Sequence, residues 1–406
     1  MAFDAINTQR SLLGTGVAQA GFVLSKVDLI SGEFGGRARI LLNRTRYYIT
    51  FQKNERPSRL EFFKGSDMLT VSAMGLIDLF ITKKFPFKFV YSDEYWMADL
   101  GKHLFPVKKY RMIYEKLLAM GAKKENFIEP SPAVDEDLLL VHTAKYLKKL
   151  KSGTLSHTEI QALELPYSED LAKFGWLHVG GTILAAELAL KDGLCVHIGG
   201  GFHHAFSDHG EGFCVLNDVA VALEKLRREG KIRKAMIVDC DLHQGNGTAA
   251  IFLKKEYAFT FSIHQMDVYP AEKQTSTFDV GLWAGDGDDK YLAALKEHFP
   301  GLYRKFEPDL VFFVAGSDPL EGDQLGGLTL TKEGLIERDT IVIEEARRMK
   351  IPLTVVCAGG YSRDVLDSVA VHINTIKVAQ MAMRKYGMRK TGILRFHSEK
   401  RAAASS

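Results

Sequence analysis

A chain of 406 residues, 46% of them hydrophobic and 25% charged, is longer than one core usually fills, so a large globular domain with a smaller companion is expected. The net charge of +3, spread as a mildly basic amino-terminal part and a slightly acidic remainder, excludes a chain built mainly to hold nucleic acid. No apolar run reaches membrane-spanning length and the start MAFDAINTQRSLLG lacks the plan of a secretory signal, so a cytoplasmic location is expected. Four cysteines, Cys195, Cys214, Cys240 and Cys357, are scattered without CxxC spacing, which suits buried reduced thiols.

Residues 1–84 read as a small β-rich domain. RARILLNRTRYYITFQ, SRLEFF and MLTVSAMGLIDLFI are rich in β-branched and aromatic residues between Gly- and Asn-containing breaks. Arg37, Arg39, Arg44, Arg46, Arg56 and Arg59 either line an anion site or form a solvated strand face. This part resembles a PilZ domain, which would bind a cyclic dinucleotide and act as a regulatory unit. Ser72 and Gly75 have the spacing of that family's second motif, with Thr70 where the family has an acidic or amide residue.

A new pattern starts near Pro86. Apolar residues at three- and four-residue spacing predict helices in VKKYRMIYEKLLAMG and DEDLLLVHTAKYLKKLKSG, with Asp135 capping the second and Gly121 and Gly153 as stops. A further helix is expected through VGGTILAAELALKDG. From Gly193 onward, short β-branched runs (GLCVHIG, KAMIVDCD, YAFTFSIH, DLVFFVAG, PLTVVCAGG) alternate with helical patterns such as AVALEKLRREG and KEGLIERDTIVIEEARRMK. Such alternation predicts a three-layer α/β domain over 85–390, its mostly parallel sheet covered on both faces. The tail 391–406 is polar and expected to be disordered.

The chemistry-bearing residues follow these runs, where open α/β sheets place their ligand crevice. His203 and His204 come after three glycines, and Asp239, Asp241 and His243 alternate at the end of KAMIVDCD. Alternate positions on a strand share a face, so the last three can converge on one point. Asp318, after the run ending at Ala315, would complete a three-ligand metal site with Asp241 and His243. Three protein ligands leave one position open, the plan of a catalytic zinc, and this donor set also tolerates ferrous iron. Each residue has a bland alternative taken singly: Asp318 before Pro319 as a turn starter, Tyr361 as a packing aromatic, Asp239 as a buried acid at a strand end. His142 and His157 are expected to be exposed and His197 to be a core residue.

GGGFHHA, GFC, the DxDxHxGNG run, GSDPLEGDQLGG and the late GGY together resemble the histone deacetylase superfamily, in its order, from about residue 87 to about 390. The HQGNG and EGDxLGGL forms are most similar to its class IV branch. The resemblance implies a single α/β domain around a mostly parallel sheet of about eight strands. It implies zinc on Asp241, His243 and Asp318, with His204 as general base and His203 as electrostatic or proton-transfer partner. Tyr361 would be the oxyanion donor, Asp239 would orient His203, and Asn246 would orient His204. Gly212, Phe213 and Gly360 would line an acyl-lysine channel whose opposite wall comes from IHQMDVYP. A potassium ion is implied near Asp239 and Asp241, with Ser262 and the carbonyls of His243 and Ile263 as neighbours. The activity implied is removal of acetyl or longer acyl groups from lysine side chains in a protein or peptide. The alternatives are a deacetylase of small acylated amines such as acetylpolyamines, or a sensor without catalysis. Glu211 and Asp208 stand near the channel without an assigned role.

Overall fold

The computed structural model describes residues 85–96, 100 and 103–387 in full, preceded by the backbone of six strands between Ile6 and Ser72. Two compact units divide after Thr82, two residues before the expected boundary. In the first, β1 (Ile6–Asn7), β2 (Val23–Gly32), β3 (Gly35–Leu42), β4 (Thr45–Thr50), β5 (Arg59–Lys64) and β6 (Asp67–Ser72) pair antiparallel in chain order. Arg37 and Arg39 fall on β3, Arg46 on β4, Arg59 on β5, and Thr70 and Ser72 on β6. Arg44, Arg56, Gly75 and the tail 391–406 lie outside the described residues.

The second unit is built on a sheet of eight strands in the order β12-β11-β10-β13-β14-β9-β7-β8. Every neighbouring pair is parallel. The four central strands, β9 (Leu194–His197), β10 (Ala235–Asp239), β13 (Leu310–Val314) and β14 (Leu353–Val356), are buried at every position. That is why they read as continuous apolar runs without alternation. Beyond β11 (Ala258–Gln265), the edge strand β12 (Phe278–Leu282) alternates buried and open positions. The short β7 (Lys88–Val90) and β8 (Phe127–Ile128) close the other edge.

The connections place the crevice. From β10 the chain winds outward through β11 to β12, then returns so that β13 and β14 fill the space between β10 and β9. The carboxyl ends of β9, β14, β13 and β10 therefore lie side by side at the point where the winding reverses, the usual place for a ligand in such sheets.

The expected helices at 107–121, 220–230 and 332–350 form as Lys108–Ala119, Asp218–Arg228 and Lys332–Arg348. Three expectations need correction. The single helix over 135–153 is two, Asp135–Leu138 and Ala144–Ser152, because the Thr143 side chain accepts from the Tyr146 amide and starts the second anew. Asp135 sits inside the first turn, not at the cap, where its carboxylate meets Lys151 and accepts from Trp176 Nε1 at 3.1 Å. The helix expected at 179–193 begins ten residues earlier, as Glu169–Asp192 (24 residues), capped by the Ser168 side chain and stopped by left-handed Gly193. The 22-residue helix Val365–Tyr386 was not anticipated; buried positions around much of its circumference leave it without a clear apolar stripe. All four cysteines are buried and free. Among the described residues no helix is long and apolar enough to cross a membrane.

Candidate active site and metal centre

Each expected catalytic or metal-binding residue ends or follows one of the four central strands, while Ser262 and Ile263 lie on β11. His203 and His204 follow β9, Asp239 ends β10 with Asp241, His243 and Asn246 beyond it, Asp318 follows β13 and Tyr361 follows β14. All eight are buried. A small cavity collects His203, His204, Gly212, Phe213, Asp241, His243 and Tyr361 on its wall, together with Phe105, Tyr110, Phe202 and Gly359.

Asp241, His243 and Asp318 each offer one ligand atom, and these atoms all lie within 4.8 Å of one another. Backbone amides hold the carboxylates: Leu242 N–H donates to Asp318 Oδ1 at 3.0 Å and Gly359 N–H to Asp241 Oδ2 at 2.9 Å. Gly359 lies so close that a Cβ there would collide with Asp318 Oδ2 and Asp241 Oδ2, so the position demands glycine. Asp318 Oδ2 is buried and has no hydrogen-bond partner. Burial, then the charge of Asp241, pushes the Asp318 carboxyl up to about 7. Two buried carboxylates around one imidazole, with an oxygen left unpaired, is a donor set short of a cation, and it fits a divalent metal.

The two histidines stand 4.1 Å apart between ring centres but in opposite electrostatic settings. His203 Nδ1 meets Asp239 Oδ2 at 2.7 Å. Burial works against its charge, but Asp239 and Asp241 outweigh burial and lift its pKa to about 9. His204 Nδ1 meets Asn246 Oδ1 at 2.7 Å, and Asn246 brings no charge. Burial and the positive charges of His203 and His243 hold His204 well below the usual imidazole range. Charge is therefore favoured on His203 over His204.

Phe213 packs edge-on against Tyr361 at 5.7 Å. Gly360 does not line the cavity: its φ is +137°, and a Cβ there would meet Ser317 Oγ, so it packs inward while Gly359 faces the site. In the implied potassium region, Asp239 pairs with Ser262 in the β10–β11 register. Asp239 Oδ1 accepts from the Asp241 amide at 3.1 Å, and Ser262 Oγ bonds His264 Nδ1 at 2.9 Å. Ile263 and His243 are buried alongside.

His142 is not exposed as expected. It is buried, its Nε2 accepts from the Asn217 amide at 3.1 Å, and burial pushes its pKa down to about 4. His157 is exposed and His197 is in the core, as expected. Two residues beside the paired histidines carried no individual role in the sequence. Tyr269, from IHQMDVYP, lies 5.0 Å from His204 between ring centres. Glu211 accepts from Asn246 Nδ2 at 2.8 Å. A third, Lys109, is fully buried and donates to the Ala358 carbonyl at 2.6 Å. A lysine in an amphipathic helix carries no sequence mark of such burial.

Residues 103–376 match the family described as the histone deacetylase domain, which leaves the amino-terminal sheet outside and lends no support to its likeness to PilZ domains. An uncharacterized protein of Picosynechococcus sp. is 39% identical over 287 residues, 70% of this chain and 96% of that protein. Histone deacetylase 2 of Arabidopsis thaliana is 34% identical, over 69% of this chain and 77% of its own length. The crystal structure of the HDA15 HD domain superposes with a TM-score of 0.61 over 72% of this chain and 88% of that one, at 22% identity, which speaks for the fold. With the parallel eight-stranded sheet and the site at its carboxyl edge, these matches establish that the chain belongs to the histone deacetylase family and is a hydrolase of acetylated amides.

Proposed function

We propose that the protein is a zinc-dependent amidohydrolase that removes acetyl or longer acyl groups from the ε-amine of lysine, of the class IV type by its HQGNG and EGDQLGGL segments. The observation that supports it is one buried cluster in which Asp241, His243 and Asp318 bring their ligand atoms together beside the unlike histidines His203 and His204, with Asp241, His243, His203 and His204 all on the cavity wall.

Asp241, His243 and Asp318 would hold the zinc, which when bound would supply Lewis-acid chemistry toward the scissile carbonyl and the attacking water. His204 is the residue poised to take the water's proton, because it is neutral and its Nδ1 is occupied by Asn246, leaving Nε2 free. His203, kept cationic by Asp239, gives a proton to the departing lysine amine. The Tyr361 hydroxyl donates to the oxyanion of the tetrahedral intermediate, a contribution of about 2.7–4 kcal/mol in sites of this kind. Phe213 on the cavity wall, and Tyr269 edge-on against the His204 ring, would flank the lysine methylenes. A potassium ion on Asp239, Asp241, Ser262 and the carbonyls of His243 and Ile263 would brace the β10–β11 end.

The test is product release from zinc-loaded protein with acetyl-lysine peptide, myristoyl-lysine peptide, acetylputrescine and acetylspermidine in parallel. Metal-dependent turnover of a peptide is the expected outcome, and the acetyl-to-myristoyl ratio sizes the channel. Turnover of the free amines alone would replace a lysine substrate with a polyamine.

A further inference from the structure

Asparagine beside a catalytic imidazole poses a problem that aspartate does not. Its amide has a donor end and an acceptor end of nearly the same shape, and only the acceptor end holds the neighbouring ring with its proton on Nδ1. Turned over, the amide would offer Nδ2–H to His204, drive the proton to Nε2 and remove the lone pair that faces the cavity. Something must therefore hold the amide one way round.

Glu211 is placed to do so. Its Oε1 accepts from Asn246 Nδ2 at 2.8 Å and from the Tyr269 hydroxyl at 2.7 Å. Its Oε2 faces His209 Nε2 at 3.3 Å, and the other nitrogen of that ring meets Asp208 Oδ1 at 2.7 Å. Burial opposes its charge, yet the hydrogen bonds from His209, Tyr269 and Asn246 keep the carboxyl below the usual range. An ionised carboxylate only accepts, so Asn246 can present only its NH2 to Glu211 and only its oxygen to His204.

The backbone under Glu211 is fixed as well. Glu211 and Cys214 exchange two backbone hydrogen bonds, of 3.1 and 2.8 Å, around Gly212 and Phe213, whose φ values are +49° and +67°. Two successive left-handed residues make the tight hairpin turn that matches strand twist. The Gly212 and Phe213 amides dock on the Ala162 and Leu163 carbonyls at 3.0 and 2.9 Å, at the end of the helix His157–Leu163. A phenylalanine in the left-handed region is strained. The strain secures a turn that puts Phe213 on the cavity wall and Glu211 behind Asn246.

We propose that Glu211 is a positioning residue for the reaction: it locks the Asn246 amide so that His204 is held as the Nδ1–H tautomer with Nε2 open to the cavity, and through Tyr269 it also bears on the edge of the His204 ring. The inference rests on His204 being the base of the proposed deacylase. Sequence marks of this device are the asparagine at 246 together with an acid directly before the Gly212–Phe213 pair.

The test is a pair of backgrounds in the full-length, zinc-loaded chain. In the native background, Glu211→Ala should lower kcat about 10- to 100-fold with KM little changed, the range seen when a partner that orients a working side chain is lost. In the Asn246→Asp background an amide that can turn no longer exists, so adding Glu211→Ala should cost little or nothing relative to Asn246→Asp alone. Equal losses in both backgrounds would mean that Glu211 only props the turn or Tyr269, and would overturn the proposal. Independently of turnover, 15N spectra of histidine-labelled, metal-free protein should show the Nδ1–H form of His204 in the native chain and a shift toward Nε2–H in Glu211→Ala. An unchanged tautomer would also overturn it. Wild-type silence on every acylated substrate would instead sink the deacylase reading and leave the tautomer experiment standing.

Discussion

At the scale of single residues, the site is a contest between burial and charge. Asp318 illustrates it: its Oδ2 is buried without a partner, and its carboxyl is pushed up by burial and by Asp241. Replacing it by alanine would remove one of three candidate metal ligands and would relieve its repulsion with Asp241 while giving up its 3.4 Å contact with His243 Nδ1. Asp318→Ala should therefore abolish bound metal and turnover while the metal-free chain unfolds at no lower urea concentration than the native one. Stoichiometric metal in the purified variant would show that the ligand set is wrong. Asp241 and His243 stood out in the sequence by their every-second-residue spacing from Asp239, although β10 ends at Asp239 and both lie in the bends beyond it; His203, His204 and Asp318 stood out by residue type just past apolar runs. Lys109 and Tyr269 did not, since neither differs in type or spacing from ordinary amphipathic or loop residues until the chain is folded.

Elements carry the site through their ends. The strands β10 and β13 are neighbours in register, Asp239 beside Val314, and the ligands emerge just past these positions. What ties the two ends together is Arg338, on the helix Lys332–Arg348. Its Nη1 donates to the Cys240 carbonyl at 3.1 Å and the Gly316 carbonyl at 2.7 Å, and its Nε donates to Asp339 at 2.9 Å. Asp339 in turn accepts from Thr375 Oγ1 at 2.6 Å on the helix Val365–Tyr386. Arg338→Met would leave two carbonyls and a carboxylate unpaired in the interior, a loss of about 3–5 kcal/mol by the usual cost of breaking a buried pair. The expected result is a lower urea midpoint together with weaker zinc retention in a chelator competition. Unchanged metal retention despite lower stability would mean that the clamp serves the core alone. The strands and most helices were legible as alternating apolar runs and periodic stripes, whereas Val365–Tyr386 was not, because a helix buried on several sides has no stripe to read.

For the whole molecule, buried histidines make stability depend on acid. Burial depresses His142 to about 4 and His197 to about 3, and lowers His103, His178, His204, His264 and His372 from an ordinary value of 6.5. His203, His209 and His243 move up instead. A depressed imidazole stays neutral in the fold while the unfolded chain takes up a proton near 6.5, so its contribution is complete above 6.5 and is lost as pH falls toward the folded value. The raised imidazoles act in the opposite sense, and so do the raised buried carboxyls, Asp318 at about 7 among them, which take up protons in the fold over the same window. The contribution of one imidazole is therefore read as a difference: between pH 6.5 and about 4.5 the urea midpoint of the native chain should fall more steeply than that of His142→Gln, and equal slopes would contradict a buried neutral His142.

Between them these scales separate what the chain's order of residues determined from what folding decided. The alternating runs and helices, the five motifs in register and the divalent donor set were all determined by the sequence, since periodicity and ligand type are local properties. The neighbourhood of β9, β14, β13 and β10 was decided by tertiary structure, because the winding reversal brings together residues separated by long stretches of chain. So was the burial of His142 and the break before Thr143, where side-chain capping and core contacts override a continuous helical pattern. The lock of Glu211 on Asn246 belongs to the same class. It depends on a left-handed turn, a helix end and a distant tyrosine meeting at one carboxylate, and hydrogen-bond geometry of that kind exists only in three dimensions.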